Sequence, residues 1–95
     1  MIQPFQYLEA LIAASKSVSV ANAAYDAACR GLHLAIANNR NEYDVAAMLG
    51  DPYPDAVYDA MEALQQASAS TAKANFEHAH ALAAATSHIE AGARR

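Results

Sequence analysis

The chain has 95 residues, six Lys and Arg against ten Asp and Glu, a net charge of −4 and 55% hydrophobic positions. Alanine fills 26 of those positions, while Leu, Ile, Val and Phe together make only about 18% of the chain, so much of the apolar character is helix propensity rather than core-forming bulk. Few large apolar residues signal disorder only when net charge is also high; this composition excludes a large core and a disordered polyanion, and fits one small domain over residues 1–95.

Taken along the chain, the first element is a long helix over about residues 4–37. Pro4 suits a first helical turn, where no N–H is needed, and nothing before Gly31 breaks the helix. The run Asn38-Asn39-Arg40-Asn41 reads as a stop, because Asn tolerates the left-handed conformation, and Asn41 with Asp44 can cap a short helix over about 42–49 that Gly50 ends. Asp51-Pro52-Tyr53-Pro54-Asp55 is a turn with helix-start signals, and a second long helix follows over about 55–91. All three glycines then fall at or near helix ends, and Arg94 and Arg95 complement the dipole of the last one.

Both long helices carry the same seven-residue pattern. In the first, Leu11, Val18, Tyr25 and Leu32 recur every seventh position, each followed three residues on by Ala14, Ala21, Ala28 and Ala35. In the second, Val57, Leu64, Thr71, His78 and Ala85 alternate with Ala60, Ala67, Ala74 and Ala81. Facing alanine columns permit close antiparallel packing. The expected fold is therefore all-α: an elongated antiparallel helical hairpin with an Ala-rich seam and a short helix at its tip. Folding the chain back around residues 43–47 sets Ser15 and Asn22 near Ser68, Thr71 and Asn75, so the seam is polar in its middle. Ile12, Val20, Leu34, Tyr58 and Phe76 are left on outer faces, and the expected remedy is a homodimer forming a four-helix bundle, or a stable complex with another protein.

Charge placement marks the candidate working surface. Between Arg40 and Lys73 there is no basic residue, whereas Glu42, Asp44, Asp51, Asp55, Asp59 and Glu62 all lie there, together with Tyr43, Tyr53 and Tyr58. Acid groups steer a basic partner into place, and tyrosine supplies contact area at low entropy cost. These nine residues form the expected partner-binding set. The same acids also belong at helix starts by dipole alone.

Other chemistries find less support in the residues. Asp51, Asp55, Asp59 and Glu62 have calcium-loop spacing, but Ala56 stands where the loop needs Gly, Tyr53 where it needs an oxygen donor, and two prolines restrict the turn. Glu77 and His80 have the Glu-x-x-His spacing of ferritin-like di-metal bundles, with Glu9 or Asp26 as the carboxylates from the first helix; His78 and His88 are alternative ligands, and Cys29 with His33 has the spacing of a soft metal pair. None closes a ligand set within one chain, so no metal or cofactor is assigned; His78 reads as a seam histidine and Cys29 as a small packed hydrophobe. No Gly-rich turn presents a nucleophile or cradles phosphate, and no catalytic residue is assigned, so the protein is read as non-enzymatic. Lys16, Arg30, Arg40 and Lys73 are scattered and the pI is near 5.4, which argues against direct nucleic-acid binding. No stretch of about 18 uninterrupted apolar residues exists, and Met1 to Ala14 has no basic run ahead of its apolar one, so neither a membrane span nor a signal peptide is expected. The lone Cys29 requires no oxidising compartment, and the expected location is the cytoplasm.

The chain carries two partial resemblances. Met48-Leu49-Gly50 at the turn of an Ala-rich hairpin, with Tyr58-x-x-x-Glu62, resembles the secreted Trp-x-Gly hairpin family and implies a secreted helical-hairpin substrate, although the defining Trp is absent and the Tyr-x-x-x-Glu element lies at the start of the second helix. The stretch from Thr71 to Leu82 is similar in composition to phasins, the coats of polyester granules. Neither assigns a family. The functional expectation is a protein-binding hairpin, self-associating and docking a basic partner surface through its acidic, Tyr-bearing tip. Its variant is a small phage-type inhibitor, similar to anti-CRISPR proteins, that occupies a nucleic-acid-binding surface.

Overall fold

The computed structural model describes residues 4–93, and these are all-helical: α1 (Pro4–Asn38), α2 (Arg40–Leu49) and α3 (Asp55–Ala93). The architecture is the expected helical hairpin, with a short helix between two long ones. Arg94 and Arg95 lie outside the described residues, as does Met1 at the head of the proposed N-terminal run. The described chain divides into two compact units, one drawn from residues 4–22 and 70–93 and the other comprising residues 23–69.

In the first unit, α1 and α3 run antiparallel with the heptad seam between them. Tyr7, Leu11, Ala14 and Val18 are half-buried and Ala21 is buried; Ala74 and Ala85 answer from α3 with Thr71, His78, Ala81 and His88 half-buried. Two contacts fix the register. The rings of Tyr7 and His88 stack with centroids 4.5 Å apart, and the Thr71 hydroxyl donates to the Ala21 carbonyl oxygen at 3.3 Å. Of the five residues expected to make the middle of the seam polar, Thr71 is the one the seam takes in, and it has a partner. Ser15, Asn22, Ser68 and Asn75 are exposed instead of covered, so the seam does not bury them.

In the second unit, Ala28, Leu32 and Ala35 of α1 meet Val57, Ala60, Leu64 and Ala67 of α3 at the continuing seam spacing, while Tyr25 is 38% exposed. Val57, 1% exposed, is the fully buried large side chain among the described residues. The buried apolar set of the whole described chain is four alanines and a valine beside it: Ala21, Ala46, Ala74, Ala85 and Val57. A core built from side chains that small contributes little per residue, since burial energy scales with apolar area.

The junction between α1 and α2 works differently from the expectation. No residue other than glycine has positive φ among those described, so no asparagine turns left-handed here. Asn39 takes φ −122° instead, its Nδ2 donates to the Ala35 carbonyl oxygen at 2.9 Å, and its N–H reaches the Ile36 carbonyl at 3.2 Å. One residue therefore satisfies two of the carbonyls that the end of α1 leaves over. Its own carbonyl accepts from the Tyr43 N–H at 2.8 Å, which starts α2 at Arg40 rather than 42; Asn41 lies inside the helix and is not its cap. At the other end Gly50 is left-handed, φ 72°, and closes α2 as expected, with the Gly50 and Asp51 N–H groups both returning to the Ala46 carbonyl. Gly92 does not stop α3, which continues to Ala93.

Candidate partner-docking surface

The acidic end lies wholly in the second unit, on α2, the 51–54 turn and the start of α3. Glycine at 50 permits the sharp reversal after α2, and Pro52 and Pro54 stiffen the four residues that follow, so the first turn of α3 begins at Asp55. The Val57 and Tyr58 N–H groups bond back to the Pro54 carbonyl, at 2.9 and 3.3 Å.

All six carboxylates of this region, on Glu42, Asp44, Asp51, Asp55, Asp59 and Glu62, are exposed. Arg40 approaches Asp44 at 4.0 Å one helical turn away, with both side chains more than half open to water. Such a pair contributes little, and the region keeps its negative field.

The three tyrosines turn toward one another. Tyr43 and Tyr53 stack with ring centroids 4.9 Å apart, Tyr58 tilts against Tyr53 at 5.7 Å, and the Tyr53 N–H donates to the Tyr58 hydroxyl at 3.2 Å. Tyr43 and Tyr53 are consequently half-buried, and Tyr58, at 45%, is the one with substantial open area. The cluster braces the 51–54 turn against α2 and α3, and stacked aromatic pairs of this kind add about 0.5–1.5 kcal/mol each beyond their buried area.

The same region also exposes an apolar strip outside the expected set. Val45, Met48 and Leu49 are 52%, 84% and 68% exposed, and their i, i+3, i+4 spacing puts them on one face of α2. Val45 also lines a shallow depression with Glu42, Asp51 and Pro52, which brings acid groups to the edge of the strip. The signal was in the sequence, because Ala46 and Tyr43 claim the inward face of a ten-residue helix and leave these three outside. A second groove of the unit is lined by His33, Leu34, Ala37, Arg40 and Tyr43.

The candidate metal residues do not converge. Among the described residues no three His, Cys, Asp or Glu side chains form a group able to hold a metal ion. Glu77 lies 4.0 Å from Lys73 and shares an open groove in the first unit with His80, Phe76, Ala10 and Ala84. His78 is half-buried in the seam, His88 is engaged with Tyr7, and Cys29 is a free, half-buried thiol. No helix of the described residues is long and apolar enough to cross a membrane. Comparison with known proteins yields no relative: no family model, no curated protein and no solved structure matches the chain.

Proposed function

We propose that this protein is a non-enzymatic interaction module. It pairs with a second copy of itself through the helices of its first unit, as half of a four-helix bundle, and it docks a basic protein surface through the acidic end of its second unit. The observation that carries the docking role is the pairing of an exposed apolar strip, Val45, Met48 and Leu49, with six exposed carboxylates on the same stretch of the second unit, residues 42–62. Apolar area of this kind on a small protein marks an interaction site, and the acid rim selects a partner carrying Lys and Arg around an apolar centre. A basic face is also what nucleic-acid-binding proteins present, so an inhibitor that occupies such a face works by the same chemistry.

The test is affinity capture with three baits, quantified by mass spectrometry at about 50 and about 300 mM salt, a range over which exposed charge pairs are progressively screened. The baits are the wild type, the quadruple variant Asp51→Asn, Asp55→Asn, Asp59→Asn, Glu62→Gln, and the double variant Met48→Ser, Leu49→Ser. A partner with an abundance of basic surface should be retained by the wild type, weaken with salt, and be lost from both variants. An identical captured set for all three baits at both salts removes the docking role.

A further inference from the structure

The self-association reading leaves open which face pairs and in which direction, and the first unit carries a pattern that answers both. On one side of the seam α1 presents Phe5 and Ile12, one residue beyond the Leu11–Val18 spacing, and Leu8, one residue beyond the alanine spacing, while α3 presents Leu82 and Ile89, also one beyond its alanine spacing; Phe5, Leu8, Ile12, Leu82 and Ile89 are exposed by 57%, 57%, 47%, 47% and 69%. Two antiparallel helices that share a heptad seam bring these flanks to the same side. The opposite side is independently defined by the groove that joins Gln6 and Ala10 to Glu77, His80 and Ala84. The five large side chains therefore form one unpartnered apolar face.

That face has its own symmetry. Phe5 and Ile12 straddle Leu8 on α1, and Leu82 and Ile89 straddle the turn of α3 that the Tyr7–His88 stack and the Thr71–Ala21 bond put level with Leu8. A two-fold axis through Leu8, perpendicular to the helices, maps the set onto itself: Leu8 meets Leu8 of the second copy, Phe5 meets Ile12, and Leu82 meets Ile89. Self-complementarity about a two-fold is what an isologous dimer interface requires. Further along the same flank come Ser15, Ser19 and Asn22 on α1 and Asn75 on α3, all exposed. A side-by-side dimer with its axis along the helices would drive those polar groups into the interface, where each needs a new partner; the perpendicular axis covers the apolar stretch and leaves them in water. We infer that a second copy of this chain covers the Phe5–Leu8–Ile12 and Leu82–Ile89 face, antiparallel to the first, about a two-fold axis at Leu8. This inference rests on the self-association part of the proposed function and is independent of the acidic end.

The experiment combines solution mass with cysteine cross-linking, using Cys29→Ser as the background because Cys29 is the only cysteine. Light scattering of the wild type over a dilution series should give twice the monomer mass, and Leu8→Glu should give a monomer that keeps its helical circular dichroism. In the Cys29→Ser background, Leu8→Cys treated with oxidised glutathione should convert to a disulfide-linked dimer, since two cysteines facing each other across the axis approach within linking distance, while Ser17→Cys on the far side should convert at least tenfold more slowly. A wild type that is monomeric at every concentration overturns this inference and the self-association reading together. A dimeric wild type whose Leu8→Cys variant links no faster than Ser17→Cys, or whose Leu8→Glu variant stays dimeric, overturns the face and leaves self-association standing. Efficient linking between Leu8→Cys and Thr86→Cys chains, with none between two Leu8→Cys chains, replaces the antiparallel dimer with the side-by-side one.

Discussion

The Thr71 hydroxyl hydrogen-bonds the backbone carbonyl of Ala21 across the seam, and Ala21 itself is 8% exposed. A side chain as short as threonine reaches a neighbouring helix's backbone only where a small residue lets the two helices come close. The alanine column is therefore a spacing device. Replacing Ala21 with Leu forces the helices apart or drives the new side chain off its preferred rotamers, a change that typically costs 1–3 kcal/mol in a packed site, and here it breaks the Thr71 bond as well. Ala23→Leu, on an exposed position two residues on, should change stability by less than about 0.5 kcal/mol. Urea midpoints of the two variants decide it: equal midpoints would mean that the column sets no distance.

Two glycines should respond in opposite directions. Gly50 sits at φ 72° and an added Cβ would meet no atom within 4 Å, so Gly50→Ala isolates the backbone penalty of a left-handed residue, about 1–2 kcal/mol destabilising. Gly31 lies inside α1 with equally open surroundings, and Gly31→Ala should stabilise by about 0.5–1 kcal/mol through helix propensity and a less free unfolded chain. Thermal unfolding of both proteins, followed by circular dichroism, reads the signs directly. A shared sign would contradict the helical assignment of Gly31 or the left-handed one of Gly50.

Much of this architecture was legible in the residues because a heptad seam depends only on side chains that recur along one helix face. Leu11, Ala14, Val18, Ala21 and their counterparts from Val57 to Ala85 could be placed without knowing anything distant in the chain. The α1–α2 junction was not, since an asparagine can turn left-handed, cap a helix start or bond backward to the helix before it, and all three use the same atoms. Asn39 bonds backward to Ala35. The candidate surface was legible only in part, for a similar reason. Its acids could be placed by charge alone, but the stack of Tyr43 on Tyr53 is a contact between elements that no local spacing encodes, and it takes two expected contact residues partly out of reach while leaving Met48 and Leu49 in the open.

Val57 is the test of how thin the core is. At 1% exposure it is the large side chain that the second unit buries completely, with Ala46 at 5% as the unit's other buried residue. Val57→Ala removes two carbon groups worth about 0.8 kcal/mol each and adds whatever cavity remains, for a loss of about 2 kcal/mol. In a domain whose other buried positions are alanines, that is a large share of total stability. Val45→Ala removes the same atoms from a half-open position and should cost less than about 1 kcal/mol. Hydrogen exchange adds the regional reading: protection should fall most along residues 23–69 in the Val57 variant. A uniform change, or a cost no greater than that of Val45→Ala, would show that the unit is held by something other than this side chain.

The quadruple acid variant separates binding from folding only if it folds as well as the wild type, and the charges predict that it does. Asp55 lies in the first turn of α3, where a carboxylate gains about 0.3–1 kcal/mol from the helix dipole, so Asp55→Asn loses something of that size. Against it, Asp55 and Asp59 are like charges four apart on one helix, and Asp59 and Glu62 are three apart. Each such pair is unfavourable by about 0.2–0.5 kcal/mol, and neutralisation relieves both. The two effects offset, and the net change should stay within about 0.5 kcal/mol in low-salt buffer, measured as a shift in urea midpoint at constant slope. Adding salt screens the repulsion in the wild type and should narrow the remaining gap. A loss above about 1 kcal/mol would mean that these carboxylates hold the end of the fold together, and that a failure of the variant to bind says nothing about docking.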